Sequence, residues 1–147
     1  MTGERMKTSM PYVFLMMDLD NFKSVNDRYG RDSGDRLLAF TASLLRQAFR
    51  QSDVVIRVGG DEFAVLAYPC TDADAIQRKG EQIIQRYEQE AGERYPLSRT
   101  SISIGGIYGH EGRSFQELYR LADDVLYETK EKKGYCRIRR IDSEEKS

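Results

Sequence analysis

The chain has 147 residues, of which 39% are hydrophobic and 32% charged, and its formal net charge is −1. This balance is typical of one globular domain and argues against binding to nucleic acid or to an anionic membrane through bulk charge. No apolar run approaches the roughly 20 residues that span a bilayer. The N-terminus lacks the apolar core of a signal peptide and the two cysteines match no metal-ligand spacing, so we expect a cytoplasmic protein.

The first half of the chain predicts a strand, helices and a hairpin. The apolar run of residues 12–18 is typical of a strand buried on both faces. Residues 21–30 predict a short helix or a turn, and residues 32–50 carry apolar side chains at helical spacing. Two β-rich runs then flank Gly59 and Gly60, which predicts a hairpin with a tight primed turn because glycine accepts positive φ.

The second half predicts two helices and two strands. Ile102 and Ile104 alternate with serines, which is typical of a half-buried strand. Ser114 and Glu117 have the spacing of a capping box at the start of the last helix. In chain order, the predicted elements are a helix at 72–90, a strand at 100–109, a helix at 114–133 and an edge strand at 135–141.

This order predicts an α/β (α+β) domain in which helices flank a mixed, largely antiparallel sheet of about five strands. Its core is a ferredoxin-like βαββαβ unit, as in nucleotidyl cyclases and polymerase palms. We expect a lead-in at residues 1–11, the domain at 12–141 and a flexible tail at 142–147.

Acidic residues follow the first strand and the Gly-Gly pair. Asp18 and Asp20 are two positions apart, so on a strand they lie on the same face. Asp61 and Glu62 come directly after the glycines, and the end of a central strand often lies near a neighbouring hairpin. Three carboxylates at one place need a cation among them, and hard oxygen ligands suit Mg²⁺. The simpler interpretation is that these acids are solvated turn residues.

Four stretches, in the right order and spacing, carry a resemblance to a known family. The hairpin sequence R-V-G-G-D-E-F (57–63) resembles the signature of the GGDEF family of diguanylate cyclases. Residues 18–38 are similar to the family's D-x-D-x-F-K-x-x-N-D-x-x-G-H-x-x-G-D-x-x-L stretch, T-S-I-S-I-G-G to its later strand, and L-A-D-D-V-L-Y to its A-D-x-A-L-Y helix. The resemblance covers residues 12 to 140.

The resemblance implies an enzyme that condenses two GTP into cyclic di-GMP and two pyrophosphates, as a transient homodimer in which each domain presents one GTP. It implies Mg²⁺ (or Mn²⁺) bound by Asp18, the Leu19 carbonyl, Asp61 and Glu62, with Asp61 and Glu62 as the catalytic pair. Such domains are commonly fused to or regulated by a sensor domain. We expect no nucleic-acid or membrane contact by this fragment.

The resemblance also implies how GTP is held. Asn26 and Asp35 would read the guanine edge, because a carboxylate can accept from the N1–H and N2–H donors that adenine lacks. The other implied substrate-binding residues are Phe22, Lys23, Gly59, Gly60 and Lys130. Lys130 stands in a charged run that is also typical of a solvated face.

R-Q-S-D (50–53) matches the family's inhibitory R-x-x-D motif. Arg50 and Asp53 would therefore bind the product cyclic di-GMP as an allosteric inhibitor, with a second arginine from the next helix, Arg78 or Arg86. A helix C-terminal arginine beside a turn aspartate is the alternative interpretation.

Three departures from the family pattern are visible. The usual opening stretch D-x-L-T-G-L-x-N-R is not found before Tyr12, so we expect the lead-in to lack the family's opening helix. Arg31 replaces the usual histidine. Near the C-terminus, Tyr135 and Cys136 replace an arginine and an asparagine, and that arginine commonly helps to hold triphosphate.

Two alternatives to an active cyclase remain. The chain could be a weak or inactive module that binds GTP or cyclic di-GMP and regulates a partner domain, which the altered C-terminal motif favours. It could also be another nucleotidyl cyclase or a palm-type polymerase, which the Gly-Gly hairpin and Asp35 disfavour.

Overall fold

The computed structural model describes residues 10–142. Residues 1–9 of the expected lead-in (1–11) and residues 143–147 of the expected tail (142–147) lie outside the described residues. Asp142, the first residue of that tail, is buried and hydrogen-bonded rather than flexible. Two short 3₁₀ helices, Pro96–Ser98 and Lys130–Lys132, accompany nine longer elements within that range. In chain order, these elements are β1 (Tyr12–Asp20), α1 (Phe22–Tyr29), α2 (Arg31–Ala48), β2 (Val54–Gly59), β3 (Glu62–Ala67), α3 (Ala73–Arg94), β4 (Ser101–Gly109), α4 (Phe115–Thr129) and β5 (Cys136–Arg140).

The five strands form one mixed sheet in the order β2-β3-β1-β4-β5. β1 pairs antiparallel with β3 and β4, and β4 pairs parallel with β5. The apolar run of β1 suits the central position in the sheet because helices cover both faces of this strand. The predicted fold class, a largely antiparallel mixed sheet with a ferredoxin-like core, is confirmed.

The helices are distributed unequally over the two faces. Val13, Leu15 and Met17 pack against α1, α2 and α3, whereas Phe14 and Met16 pack against α4. The even-numbered side of β1 therefore lies under a single helix. The predicted capping box at the start of α4 is confirmed, with the side chains and backbone N–H groups of Ser114 and Glu117 bonded reciprocally.

The expectation that β4 is half-buried was wrong. Six consecutive residues from Ile102 to Ile107 are buried, because α3 covers one face of β4 and α4 the other. Gly105 allows the backbone of α4 to approach closely, since a Cβ there would lie 2.2 Å from the backbone nitrogen of Leu126.

Cys70 and Cys136 are free thiols, as the sequence allowed. Within residues 10–142, no helix is both long enough and apolar enough to cross a membrane.

Candidate active site

The end of β1 carries two acids on the face covered by α4. The side chain of Asp18 is 22% exposed and that of Asp20 is fully buried. Lys130, directly after α4, places its Nζ 2.7 Å from Asp18 Oδ2 and 2.9 Å from Asp20 Oδ1. One ammonium therefore bridges both carboxylates, which lie on the same face of β1 as predicted.

The β2–β3 hairpin brings the other two acids to this place. Glu62 is the direct partner of Asp18 in the β1–β3 ladder. Asp61 lies in the turn, where its carbonyl accepts a hydrogen bond from the Leu19 N–H at 3.2 Å. The structure thus brings Asp18, Leu19, Asp61 and Glu62 together, as the sequence predicted.

The predicted primed turn was wrong. A primed turn requires positive φ at its first central residue, but among the glycines of residues 10–142 only Gly30 and Gly134 have positive φ. The side chain of Arg57 closes the reversal instead, donating from Nε and Nη2 to the Gly60 carbonyl at 2.9 and 2.6 Å. A Cβ built on Gly59 or Gly60 would meet no atom within 4 Å, so this side of the hairpin is open.

The cluster has an excess of negative charge. Burial, and next the charge of Asp18, raise the pKa of both Asp61 and Glu62. Asp123 of α4 raises the pKa of Glu62 further, and Lys130 opposes the rise at both groups. Burial alone would lower the pKa of Lys130, but its hydrogen bonds to Asp18 and Asp20 raise it. A further cation would therefore relieve repulsion among these carboxylates.

The donor chemistry fits a divalent cation. Among residues 10–142, no group of three or more acidic, histidine or cysteine side chains is placed so that it could hold a metal ion by itself. Mg²⁺ needs only one or two carboxylates, however, and completes its shell with water and substrate phosphate oxygens. The opposed pair Asp18 and Glu62, with Asp61 beside them, supplies such oxygens.

The predicted guanine-binding residues lie on α1 and α2. Asn26 of α1 lies against Gly34 of α2, where a Cβ would come within 1.8 Å of Asn26 Oδ1. Asp35 is exposed and lines a groove between α2 and β2, together with Leu38 and Phe63. An acidic group thus stands at a groove lined by both apolar side chains and arginines, and its apolar part suits a purine ring.

Two further residues that were predicted to bind substrate, Phe22 and Lys23, have ordinary structural neighbours. Phe22 is buried in the core beneath α1. Lys23 is 88% exposed, and its ammonium pairs with Asp27 at 2.9 Å. Neither side chain is part of the acidic cluster in this structure.

Arg50 and Asp53 contact each other. Arg50 binds the buried carboxylate of Asp53 through Nη2 at 2.8 Å and Nε at 3.2 Å, and it also donates to the Pro69 carbonyl at 2.8 Å. Both candidate second arginines, Arg78 and Arg86, are exposed on α3.

Sequence reasoning gave no functional role to three residues at the acidic cluster. Asp20 accepts hydrogen bonds from Ser101 and Ser103 as well as from Lys130. Asp123 and Tyr119 of α4 both interact with Glu62. The spacing of Asp18 and Asp20 placed Asp20 on the shared face but gave it no role, and Asp123 stands inside the L-A-D-D-V-L-Y stretch.

The chain resembles known proteins across most of its length. The family model described as diguanylate cyclase, GGDEF domain, matches residues 3–136. The probable diguanylate cyclase DgcT of Escherichia coli (strain K12) is 38% identical over 127 residues, which cover 82% of this chain and 27% of DgcT. The cyclic di-GMP phosphodiesterase NbdA of Pseudomonas aeruginosa is 38% identical over 121 residues, which cover 79% of this chain and 15% of NbdA.

A solved structure supports the same relationship. The active GGEEF domain of a diguanylate cyclase from Vibrio cholerae superimposes with a TM-score of 0.76 at 28% identity, covering 88% of this chain and 83% of that one. This chain spans less than a third of the length of DgcT or NbdA.

Proposed function

The chain belongs to the GGDEF domain family of diguanylate cyclases, and from that premise we propose that it condenses two GTP into cyclic di-GMP and two pyrophosphates. Each 3′-hydroxyl attacks the α-phosphate of the other GTP. An O3′–P bond forms, the bond to pyrophosphate breaks, and the hydroxyl proton is lost. The observation that carries this proposal is the acidic cluster, in which Asp18 and Glu62 are directly opposed and Lys130 bridges Asp18 and Asp20.

Asp18, Asp61, Glu62 and the Leu19 carbonyl would hold Mg²⁺ or Mn²⁺ at this cluster. Such a cation lowers the pKa of the attacking hydroxyl and neutralises charge that develops on the phosphate. The carboxylate of Asp61, in the turn beside the end of β1, would also accept the hydroxyl proton.

GTP would lie with its guanine toward Asn26 and Asp35 and its phosphates toward the cluster. Asp35 selects guanine over adenine because it accepts from a donor pair that adenine lacks. Lys130 would neutralise the triphosphate, and Phe22 and Lys23 would lie against the phosphates through their backbone N–H groups at the start of α1. Gly59 and Gly60 leave the hairpin open for the nucleotide.

Two GTP must meet, so the active species would be a transient homodimer. Cyclic di-GMP would bind at Arg50 and Asp53 and inhibit the enzyme, displacing the guanidinium of Arg50 from Asp53. Since GTP is a cellular metabolite, we place the domain in the cytoplasm, joined to or controlled by a sensor domain.

The test is to incubate the purified protein with GTP and Mg²⁺ at several protein concentrations and to separate the nucleotides by chromatography. We expect cyclic di-GMP, at a rate per protein that rises in proportion to protein concentration while dilute. The double variant Asp61→Ala, Glu62→Ala should make none. A control that removes two exposed acids of α3, Asp74→Ala with Glu93→Ala, should stay active. No product from the native protein contradicts the proposal.

One observation favours a second function, a regulatory module that binds nucleotide with little turnover. Cys136, which stands where the resemblance expects an asparagine, is buried against Gly80, and Tyr135 stands in the place of the phosphate-binding arginine. The ring of Tyr135 lies under the ammonium of Lys132 instead. Binding of GTP or cyclic di-GMP by calorimetry, without product formation, would support this function.

A further inference from the structure

The ammonium of Lys130 is shared by two carboxylates in different surroundings. The Asp18 side chain is partly exposed, whereas that of Asp20 has no exposed surface. Asp20 Oδ2 also accepts hydrogen bonds from Ser103 Oγ at 2.5 Å and Ser101 Oγ at 2.9 Å. A ligand can therefore reach the Asp18 carboxylate, while the Asp20 carboxylate is held inside the protein.

The network around Asp20 joins three segments of the chain. The Asp20 carbonyl accepts from Thr100 Oγ1 at 2.7 Å. Ser103 Oγ, besides donating to Asp20, accepts from the Gly134 N–H at 3.1 Å. The end of β1, the start of β4 and the segment after Lys130 are thus fixed to one another. A buried carboxylate is costly without a cation, which favours keeping Lys130 in place.

We propose that Asp20 is a positioning residue that keeps Lys130 at the site when nucleotide and cation occupy Asp18. The inference rests on the proposed function. An ammonium has three donors and no acceptor, so Lys130 can exchange Asp18 for a phosphate oxygen while it remains bonded to Asp20. The result is a chain of contacts from Asp20 through Lys130 to the triphosphate. Asp18 is then free for its own ligand.

The first test uses Asp20→Asn, which keeps the shape and the oxygen that Ser101 and Ser103 contact but removes the charge. We expect the KM for GTP to rise about tenfold, the size of one charge-assisted hydrogen bond, with a smaller change in kcat. In a Lys130→Met background the same substitution should change KM by less than about twofold. Lys132→Met is the matched control for the lost lysine and should behave like the native protein.

A merely structural role for Asp20 predicts a different pattern. The change in KM would then persist in the Lys130→Met background, and kcat would fall as much as KM rises. Either result overturns the proposal. Thermal unfolding of each variant, measured alongside, shows whether the protein is folded under the assay conditions.

A second test needs neither nucleotide nor activity. The acylation of each lysine by an amine-reactive ester is followed by mass spectrometry, with Lys132 as the internal reference. We expect Asp20→Asn to speed acylation of Lys130 several-fold, and Asp18→Asn to speed it less. An unchanged acylation rate in Asp20→Asn, or an equal effect of the two variants, would overturn the proposal that Asp20 positions Lys130. Failure to form cyclic di-GMP would contradict the proposed function and leave this readout intact.

Discussion

Glu62 on β3 lies directly opposite Asp18 on β1 in an antiparallel ladder. Like charges at opposed positions destabilise a sheet, and the charge of Asp18 is, after burial, the largest influence that raises the pKa of Glu62. The repulsion between these two carboxylates therefore lies at the place where we propose that a cation binds.

Glu62→Gln should therefore stabilise the metal-free protein and inactivate it. We expect the free energy of unfolding at neutral pH to rise by about 0.2–1 kcal/mol, the range for cross-strand pairs. Cyclic di-GMP formation should fall by about 100-fold or more. Urea titration with EDTA present and the chromatographic assay measure the two effects. Glu93→Gln on α3 is the control, and a destabilised Glu62→Gln protein would contradict the prediction.

The stability of the native protein should depend on pH in a defined direction. The folded state raises the pKa of Asp61 and Glu62 above their ordinary values of 3.8 and 4.5, so it binds their protons more firmly than the unfolded state does. Their contribution to stability is therefore greatest below those ordinary values and is lost as pH rises through the raised pKa values. We expect the double variant Asp61→Asn, Glu62→Gln to be more stable than the native protein, by a margin that grows as the pH rises through the raised pKa values. An advantage that shrinks with pH would contradict the assignment.

Gly34→Ala should weaken GTP binding without unfolding the protein. The new Cβ would come within 1.8 Å of Asn26 Oδ1, so the amide must move from its present position. We expect the Kd for GTP, measured by calorimetry, to rise about tenfold, as for one lost hydrogen bond to the base. Gly92→Ala on α3 is the matched control, because its Cβ would meet no atom within 4 Å and a helical alanine stabilises. Equal affinities for GTP in both variants would contradict the proposed role of Asn26 in binding guanine.

Arg50→Ala should abolish inhibition by product. In this structure the guanidinium is engaged by Asp53 and by the Pro69 carbonyl, so product binding has to compete with these contacts. We expect progress curves of the native protein to slow as cyclic di-GMP accumulates and those of the variant to stay linear until GTP is consumed. Calorimetric titration with cyclic di-GMP gives an independent reading. Unchanged product affinity in Arg50→Ala would place the inhibitory site elsewhere.

Asp142→Ala should destabilise the fold most at neutral pH. The buried carboxylate accepts from the backbone N–H groups of His110 and Glu111 and pairs with Arg113 at 2.7 Å. Burial alone would raise the pKa of Asp142, but these donors outweigh it and lower the pKa. Its stabilisation is thus present above the ordinary carboxyl pKa and is lost as pH falls through the lowered value. We expect a loss of roughly 2–3 kcal/mol at neutral pH in urea titrations, with a smaller loss in acid.

Local sequence patterns were sufficient for the elements and for the acidic cluster. The unbroken apolar run of β1 predicted a central strand, and the positions of Ser114 and Glu117 predicted a helix start that the capping box confirms. Asp18, Asp61 and Glu62 were grouped because a strand end and a neighbouring hairpin meet at one edge, which the β1–β3 ladder confirms.

Contacts between distant segments could not be predicted from such patterns. The hairpin turn depends on a side chain, Arg57, bonding to a carbonyl, whereas the expectation used glycine conformation alone. Ser103 has the polar alternation of an exposed position, yet it is buried because its hydroxyl bonds to Asp20, 83 positions earlier. Lys130 belongs to a charged run, and only the tertiary structure identifies Asp18 and Asp20 as its partners.

The contact between Lys130 and Asp20 joins residues 110 positions apart. Closing so long a loop has a large entropic cost, so this contact forms only when the segments between them are already assembled. The pairing of Lys130 with the two acids is consequently absent from a partly folded chain in which these segments have not assembled. A protease cut that releases the segment after α4 would remove the cation from the two acids. Such a nicked protein would keep the hairpin that gives the family its name, while its acidic cluster loses the ammonium that bridges Asp18 and Asp20.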